Sequence, residues 1–415
     1  MAYDGWLKFG GVEIVNLSRT AQLAELIGIS AVWLDSSSVD WIQTTLSGVG
    51  YDDVTEAPWF DPAAASSTEF AGVVPLSFPG LSDSTRASDT SEYLTDGGSV
   101  GRPRSGTLTI VASVAIAAST ERGALYGLRW LNKVLSSGGS PSGASGACAG
   151  SRLDYFVVDY DGSPVAHRND VAMTRGVSVT KKHVGDCSAI YMATFTLTAG
   201  DPFEYSAPVP VVTELSATAT TGPNILASGS VALVQQSCPI YDYSPIFDPA
   251  LPALVPAPSA PDFLPAGWNA PIGATFDRFW AKVPSVSPTA LGVVPVVKLH
   301  TEVDARMVRL SIWPGDSAVT EQCYPLWSSV ATFVPNNSDF YIDGEMRASY
   351  VWDGGSPSVR RADSLTYSAD AQPIRWVDFN DHDSLLIALD VFSDSGGSQG
   401  AGTVKAAVNL VLKVG

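Results

Sequence analysis

Three short segments hold the residue types that chemistry uses. Asp381-His382-Asp383 brings two carboxylates and an imidazole together, a donor set that suits a metal ion. Adjacent residues on a strand point to opposite faces, however, and an acidic turn accounts for the same residues. Gly396-Gly397-Ser398-Gln399-Gly400 has the spelling of a hydrolase nucleophile motif. That motif works only at a strained turn from strand to helix, and here it falls between two β patterns, so a hairpin tip is the better reading. Asp159-Tyr160-Asp161-Gly162 opens like a calcium loop, but the later ligands and the closing glutamate are missing, which leaves an acidic β-turn. The histidines His167, His183, His300 and His382 form no HExxH pair, and no phosphate-binding or dinucleotide fingerprint is present. The sequence therefore assigns no catalytic, cofactor-binding or metal residue. No cofactor is expected, and the chain is not read as an enzyme. Trp313, Trp327, Tyr341, Tyr350, Trp352 and Trp376 could stack on sugar rings. Sandwich cores also use aromatics, and most of these are expected inside.

The composition narrows the class of function. The 415 residues are 45% hydrophobic and only 16% charged, against about 25% charged in an ordinary soluble domain. That length suggests two or three domains, and the low charge fits a surface covered in an assembly. The net charge is −18, from 24 basic and 42 acidic residues, which argues against a grip on DNA phosphates or on an anionic membrane. No Lys or Arg occurs between Lys182 and Arg278. Cys148, Cys187, Cys238 and Cys323 are isolated, with no close pair to close a zinc tetrahedron. The start, Met1 to Trp6, has no basic stretch and no apolar run, so neither export nor membrane insertion is expected, and the thiols should stay reduced.

The elements read as mainly β. Trp6–Phe9 and Val12–Val15 flank Gly10-Gly11, a hairpin signal, and a short helix is expected from about Thr20 to Ile27, closed by Gly28. Residues 52–104 are rich in Pro, Ser, Asp and Gly and read as a long loop insertion. Leu108–Ile116 reads as a strand. A helix follows, capped by Ser119 or Thr120, with Ala124, Leu128, Leu131 and Leu135 on one face, stopped at Gly138-Gly139. Strands resume at Leu153–Tyr160 and Ala189–Thr198. Nine prolines between Pro239 and Pro271 define an extended, greasy arm at 237–273 that should lie along a protein surface. From residue 274 to 415 alternation is clear, as in Val308/Leu310/Ile312, Leu385/Ile387/Leu389/Val391 and Val404/Ala406/Val408/Leu410/Leu412/Val414, and a β-sandwich is expected. The expected organisation is thus an N-terminal domain 1–236, an arm 237–273 and a C-terminal sandwich 274–415.

Several segments resemble minor tail proteins of actinobacterial phages. They are Tyr3-Asp4-Gly5-Trp6-Leu7 with Gly11 to Thr20, Val177 to Lys182 followed by Ala193 to Tyr205, Gly146 to Gly150, and Ala305 to Arg309. Within that group the chain is most similar to the distal tail protein of long-tailed phages. The resemblance implies an N-terminal split-barrel or β-sandwich domain with one helix and long loops, and a C-terminal galectin-like or carbohydrate-module-like sandwich. It also implies a homo-oligomeric ring, usually of six copies, that joins the tail tube to the hub and to other minor tail proteins, with the tape measure protein nearby. DNA would pass through the lumen without specific binding, and the chain would reside in the virion after synthesis in the bacterial cytoplasm. Two rival functions stay open at this point: a module that binds host cell-wall carbohydrate, and a wall-degrading hydrolase.

Overall fold

The computed structural model describes residues 2–29, 53–83, 86–88, 90–92, 98–101, 104–136, 151–157, 165–216, 229–232, 275–283, 292–314, 327–353, 359–367, 374, 376, 379, 385–393 and 404–414. The chain forms two compact units, residues 1–207 with 414–415, and residues 208–413. The fold is mainly β, and every strand pairing is antiparallel. The proline-rich segment 237–273 lies outside the described residues.

The first unit opens with the expected hairpin, β1 (Ala2–Phe9) and β2 (Val12–Asn16). Gly10 and Gly11 turn it with φ of 55° and 86°, a region that favours glycine. Helix α1 (Leu17–Leu26) starts earlier than the sequence suggests. The reason is Asn16, whose side chain accepts a hydrogen bond from the Arg19 amide at 3.1 Å and caps the first turn. Next comes β3 (Phe70–Ser77), inside the stretch expected to be loop. Two small ladders follow, β4 (Arg86–Ala87) with β7 (Arg104–Ser105), and β5 (Thr90–Glu92) with β6 (Gly98–Val100). The main elements are then β8 (Leu108–Ala118), α2 (Glu121–Ser136), β9 (Ser151–Val157), β10 (Val165–Val184), β11 (Ala189–Ala199) and β12 (Glu204–Ser206).

The ladder runs β2-β1-β9-β10-β11-β8-β3, with β12 also pairing β10. Its two ends, β2 and β3, pack against each other, so the sheet curls into an open barrel around one core. Phe9, Ile14, Phe70, Ile116, Tyr155 and Phe195 are all within 2% of full burial there. β8 and β11 pair over eleven residues without a shift, from Leu108↔Ala199 to Ala118↔Ala189. Strict alternation holds that register, because a slip of one residue would turn Phe195 and Leu197 out to solvent.

Helix α2 matches the expected one. Thr120 Oγ1 accepts from the Gly123 amide at 3.0 Å, Glu121 sits in the first turn and Lys133 in the last. Two glycines let it approach β3. A Cβ on Gly127 would lie 2.4 Å from Phe70 Cε2, and one on Gly123 would lie 2.8 Å from the Glu69 carbonyl carbon.

The second unit is a sandwich of two antiparallel sheets. Its strands are β13 (Val209–Leu215), β14 (Gly229–Ala232), β15 (Thr275–Val283), β16 (Gly292–Thr301), β17 (Ala305–Pro314), β18 (Trp327–Val334), β19 (Ser338–Asp343), β20 (Ala348–Asp353), β21 (Val359–Arg361), β22 (Thr366–Tyr367), β23 (Leu385–Ser393) and β24 (Val404–Val414). One sheet runs β13-β24-β16-β19-β20-β21, and the other β14-β15-β23-β17-β18-β22. β13 and β14 precede residue 233, so this unit recruits chain from before the proline-rich segment. β23 is buried on both faces rather than one. Leu385, Ile387, Leu389 and Val391 face one way; Leu386, Ala388 and the fully buried Asp390 face the other. Asp390 is matched by Arg309, with Nη2 at 2.8 Å, which compensates the buried charge.

The seat of α2 yields a stability prediction. Alanine favours a helix interior over glycine by about 1 kcal/mol. At Gly127 the added methyl must displace a fully buried ring, which costs about 1–3 kcal/mol. Gly127→Ala should therefore lower the thermal midpoint of the full chain, and Gly127→Val should lower it further. Scanning calorimetry checks both.

Candidate assembly surface

The segments that looked chemical, Asp159–Gly162, Asp381–Asp383 and Gly396–Gly400, lie outside the described residues. Of the histidines, His167 is fully buried and stacks on Tyr205 at 5.8 Å, His183 is exposed, and His300 contacts Asp339 at 2.9 Å. Among the described residues no three His, Cys, Asp or Glu side chains are grouped to hold a metal ion. Cys187 is an exposed free thiol. The aromatic set divides: Trp327 is buried, Tyr341, Tyr350 and Trp376 are half-buried, and Trp352 is exposed.

The most polar buried cluster is one the sequence did not reveal. Arg168 on β10 is 3% exposed. Its guanidinium donates to the Leu81 carbonyl at 2.8 and 3.2 Å and to the Pro202 carbonyl at 2.5 Å, and lies 3.9 Å from Glu204. Tyr155 donates its hydroxyl to the same Glu204 carboxylate. Burial, offset in part by the Arg168 charge, holds the Tyr155 phenol well above its ordinary ionisation range. The main partners of Arg168 are backbone carbonyls, so it clamps the 78–83 and 200–204 turns onto the barrel.

The surface feature is the long arm formed by β10 and β11. Up to Asn169, β10 is largely buried; from Arg175 on it is exposed or half-exposed. Val171–Val184 pairs with Ala189–Ala199 on one side. On its other side, no described strand pairs with 172–184. The Gly185 amide donates to the Ser188 carbonyl at 2.8 Å and closes the tip. Met173, Val177 and Val179 pack toward the core, and Lys182 lies 4.6 Å over the Tyr191 ring.

The outward face of the same sheet mixes threonines with basic side chains, Arg175 lying opposite Thr196 and Lys181 opposite Met192. Thr194, Thr196 and Thr198 lie opposite Ser113, Val111 and Thr109 on β8, and Thr174 Oγ1 is 3.0 Å from Thr198 Oγ1. Val111 is 42% exposed and Thr109 is exposed.

In the second unit, Asp343 carries a strongly shifted carboxyl. It accepts from the Met346 amide at 2.9 Å and from the Tyr350 hydroxyl at 3.3 Å. Burial, with the Glu345 charge adding to it, outweighs these bonds and pushes its pKa up to about 6.

No family model matches this chain, and no curated protein matches it in sequence. Among solved structures, it is similar to the Dit protein of phage SPP1, titled a paradigm of the hub adsorption apparatus in phages that infect Gram-positive hosts. Identity is 9% and the TM-score 0.36, over 84% of this chain and 95% of that one. It is also similar to chains of the phage P2 baseplate in its activated conformation. With Ca the values are 9% identity and a TM-score of 0.44, over 82% of this chain and 91% of that one. With Sr they are 9% and 0.43, over 82% and 90%.

The Asp343 carboxyl sets a pH dependence. Its folded pKa of about 6 lies above the ordinary 3.8, so between those values the folded state binds more protons than the unfolded state. The stability it contributes is fully present below pH 3.8 and is lost as pH rises through 6. Asp343→Asn keeps one acceptor oxygen for the Met346 amide, presents an N–H toward the Tyr350 hydroxyl in place of the other, and removes the charge. It should leave the melting temperature nearly unchanged at pH 4 and raise it at pH 8, by up to about 3 kcal/mol in stability. Melting curves of both proteins at the two pH values test this.

Proposed function

We propose that this chain is a structural subunit of the tail tip of a long-tailed phage, assembled as a homo-oligomeric ring that adapts the tail tube to the hub. The observation that carries the reading is the β10–β11 arm, whose run 172–184 has no described strand on its second edge and whose outward face sets threonines beside Arg175 and Lys181. A strand edge of that length exposed on a free monomer invites uncontrolled pairing; a closed ring satisfies it with a fixed number of neighbours. The segments that resemble actinobacterial minor tail proteins support the same reading, and two of them, 177–182 and 193–205, lie largely on this arm. The ring is of the distal tail type, six copies is the favoured number, and the tube, hub and other minor tail proteins are its partners. The chain works by shape and contact area, with no bond made or broken. The acidic balance suits a lumen through which DNA passes without sticking.

Native mass spectrometry and negative-stain microscopy of the full chain test the proposal. Closed rings are expected. Thr194→Lys with Thr196→Lys places like charges on the face and should yield monomers whose far-ultraviolet circular dichroism is unchanged. Monomers of the unaltered chain at every concentration tried would defeat the ring reading.

A further inference from the structure

Charge on the first unit is divided into two stretches. No acidic residue occurs between Asp170 and Asp186, and that stretch, the outer part of β10 and its tip, holds Arg175, Lys181 and Lys182. No Lys or Arg occurs between Arg19 and Arg86, a span that holds nine acidic residues. Of those nine, Asp53, Glu56 and Asp61 stand exposed within one short stretch. Arg175, Lys181 and Lys182 are exposed as well, and neither Arg175 nor Lys181 forms an ion pair among the described residues.

Both stretches are anchored to α2, on opposite sides of it. The arm lies along one side. A Cβ on Gly176 would meet Asn132 Oδ1 at 3.7 Å, and Tyr191, which pairs with Lys182, donates its hydroxyl to Glu121 at 2.8 Å. The acidic stretch lies along the other. Tyr126 donates to the Trp59 carbonyl at 2.6 Å, and the Trp59 and Trp130 rings meet edge to face at 5.5 Å. At about 100° per residue, Glu121 and Asn132 project about 20° apart, while Tyr126 and Trp130 project roughly 140–180° from Glu121. Leu125 and Arg129 are exposed on the helix face between them. A helix is about 10 Å wide, close to the screening length in physiological salt, so the two flanks do not neutralise each other within one copy.

We propose that the basic arm of one copy docks on the acidic flank, residues 53–61, of a second copy, head to tail. The proposal rests on the ring reading above and supplies the seam between neighbours. A contact between two different flanks is heterologous, the kind that a rotation closes into a ring. Thr194, Thr196 and Val111 supply packing on the arm face, while the charges select the partner's face and its orientation. Two arms repel each other, as do two acidic flanks, so neither flank pairs with its own kind. Duplex DNA is the competing occupant of a basic strand face. It would gain few phosphate contacts there and would meet the field of a chain of net charge −18. A second copy brings a matched acidic flank with it.

Charge reversal in the full chain tests this. Arg175→Glu with Lys181→Glu reverses the arm, and Glu56→Lys with Asp61→Lys reverses the turn. Circular dichroism of both variants should match that of the unaltered chain. Each alone should raise the concentration for half-assembly by at least about tenfold in sedimentation velocity. An equimolar mixture should recover assembly, because each seam then joins native arm to native turn or reversed arm to reversed turn. Should a reversal unfold its chain, the neutral pairs Arg175→Gln with Lys181→Gln and Glu56→Gln with Asp61→Asn serve instead. Their mixture holds one native seam per pair and should stop at dimers. Undiminished assembly of either variant alone overturns the proposal, as does a mixture of folded variants that stays monomeric. A gel shift of duplex DNA that the arm reversal abolishes, with assembly unchanged, assigns the arm to nucleic acid and overturns it too. Rings indifferent to both reversals sink the seam and leave the ring reading standing; an unaltered chain that stays monomeric sinks both.

Discussion

Backbone hydrogen bonding is the constraint on which this structure turns. A strand buried on both edges must find two partners, and the first unit meets that demand almost everywhere by wrapping seven strands into an open barrel. The eleven unshifted pairs between β8 and β11 set the register from which the other strands take theirs. β10 leaves the barrel at about residue 171 and continues with a partner on one side only.

Side-chain chemistry follows that geometry. Where β10 is inside, it carries Arg168, clamped to two turns through backbone carbonyls and bonded near the Tyr155–Glu204 pair. Where it is outside, Arg175 and Lys181 lie beside the threonines of β11 on the shared sheet face. In the second unit, two buried carboxylates are matched in place: Arg309 meets Asp390, and Asp343 meets an amide and a phenol. Asp343 is the group for which burial exceeds the compensation, and its carboxyl shows it.

Much of this was legible in the residues. Alternation marked β8, β11, β17, β23 and β24, and Gly10-Gly11 marked the first hairpin. Thr120 and Glu121 marked the start of α2. What stayed hidden had physical causes. β3 contains Gly72 and Pro75, which break the period-two pattern while its residues are buried from core and helix side alike. β10 mixes Arg175, Gly176, Lys181 and Lys182 into its outer half because that half is solvated, so it lacks an apolar alternation. Asn16 reads as a loop residue until its side chain is seen to cap α1. The flanking of α2 by a basic arm and an acidic turn depends on tertiary packing, which no local pattern encodes; the charges were visible, but not their side of the helix.

The place of β24 has a consequence for biogenesis. This strand, residues 404–414, lies between β13 and β16, which begin at residues 209 and 292. All strands of the first unit precede residue 207, so that unit can close its core on the ribosome while synthesis continues. The second unit must wait, with the facing edges of β13 and β16 unpaired, until β24 has been made. Translation order thus leaves the main sheet of the second unit in two pieces longest.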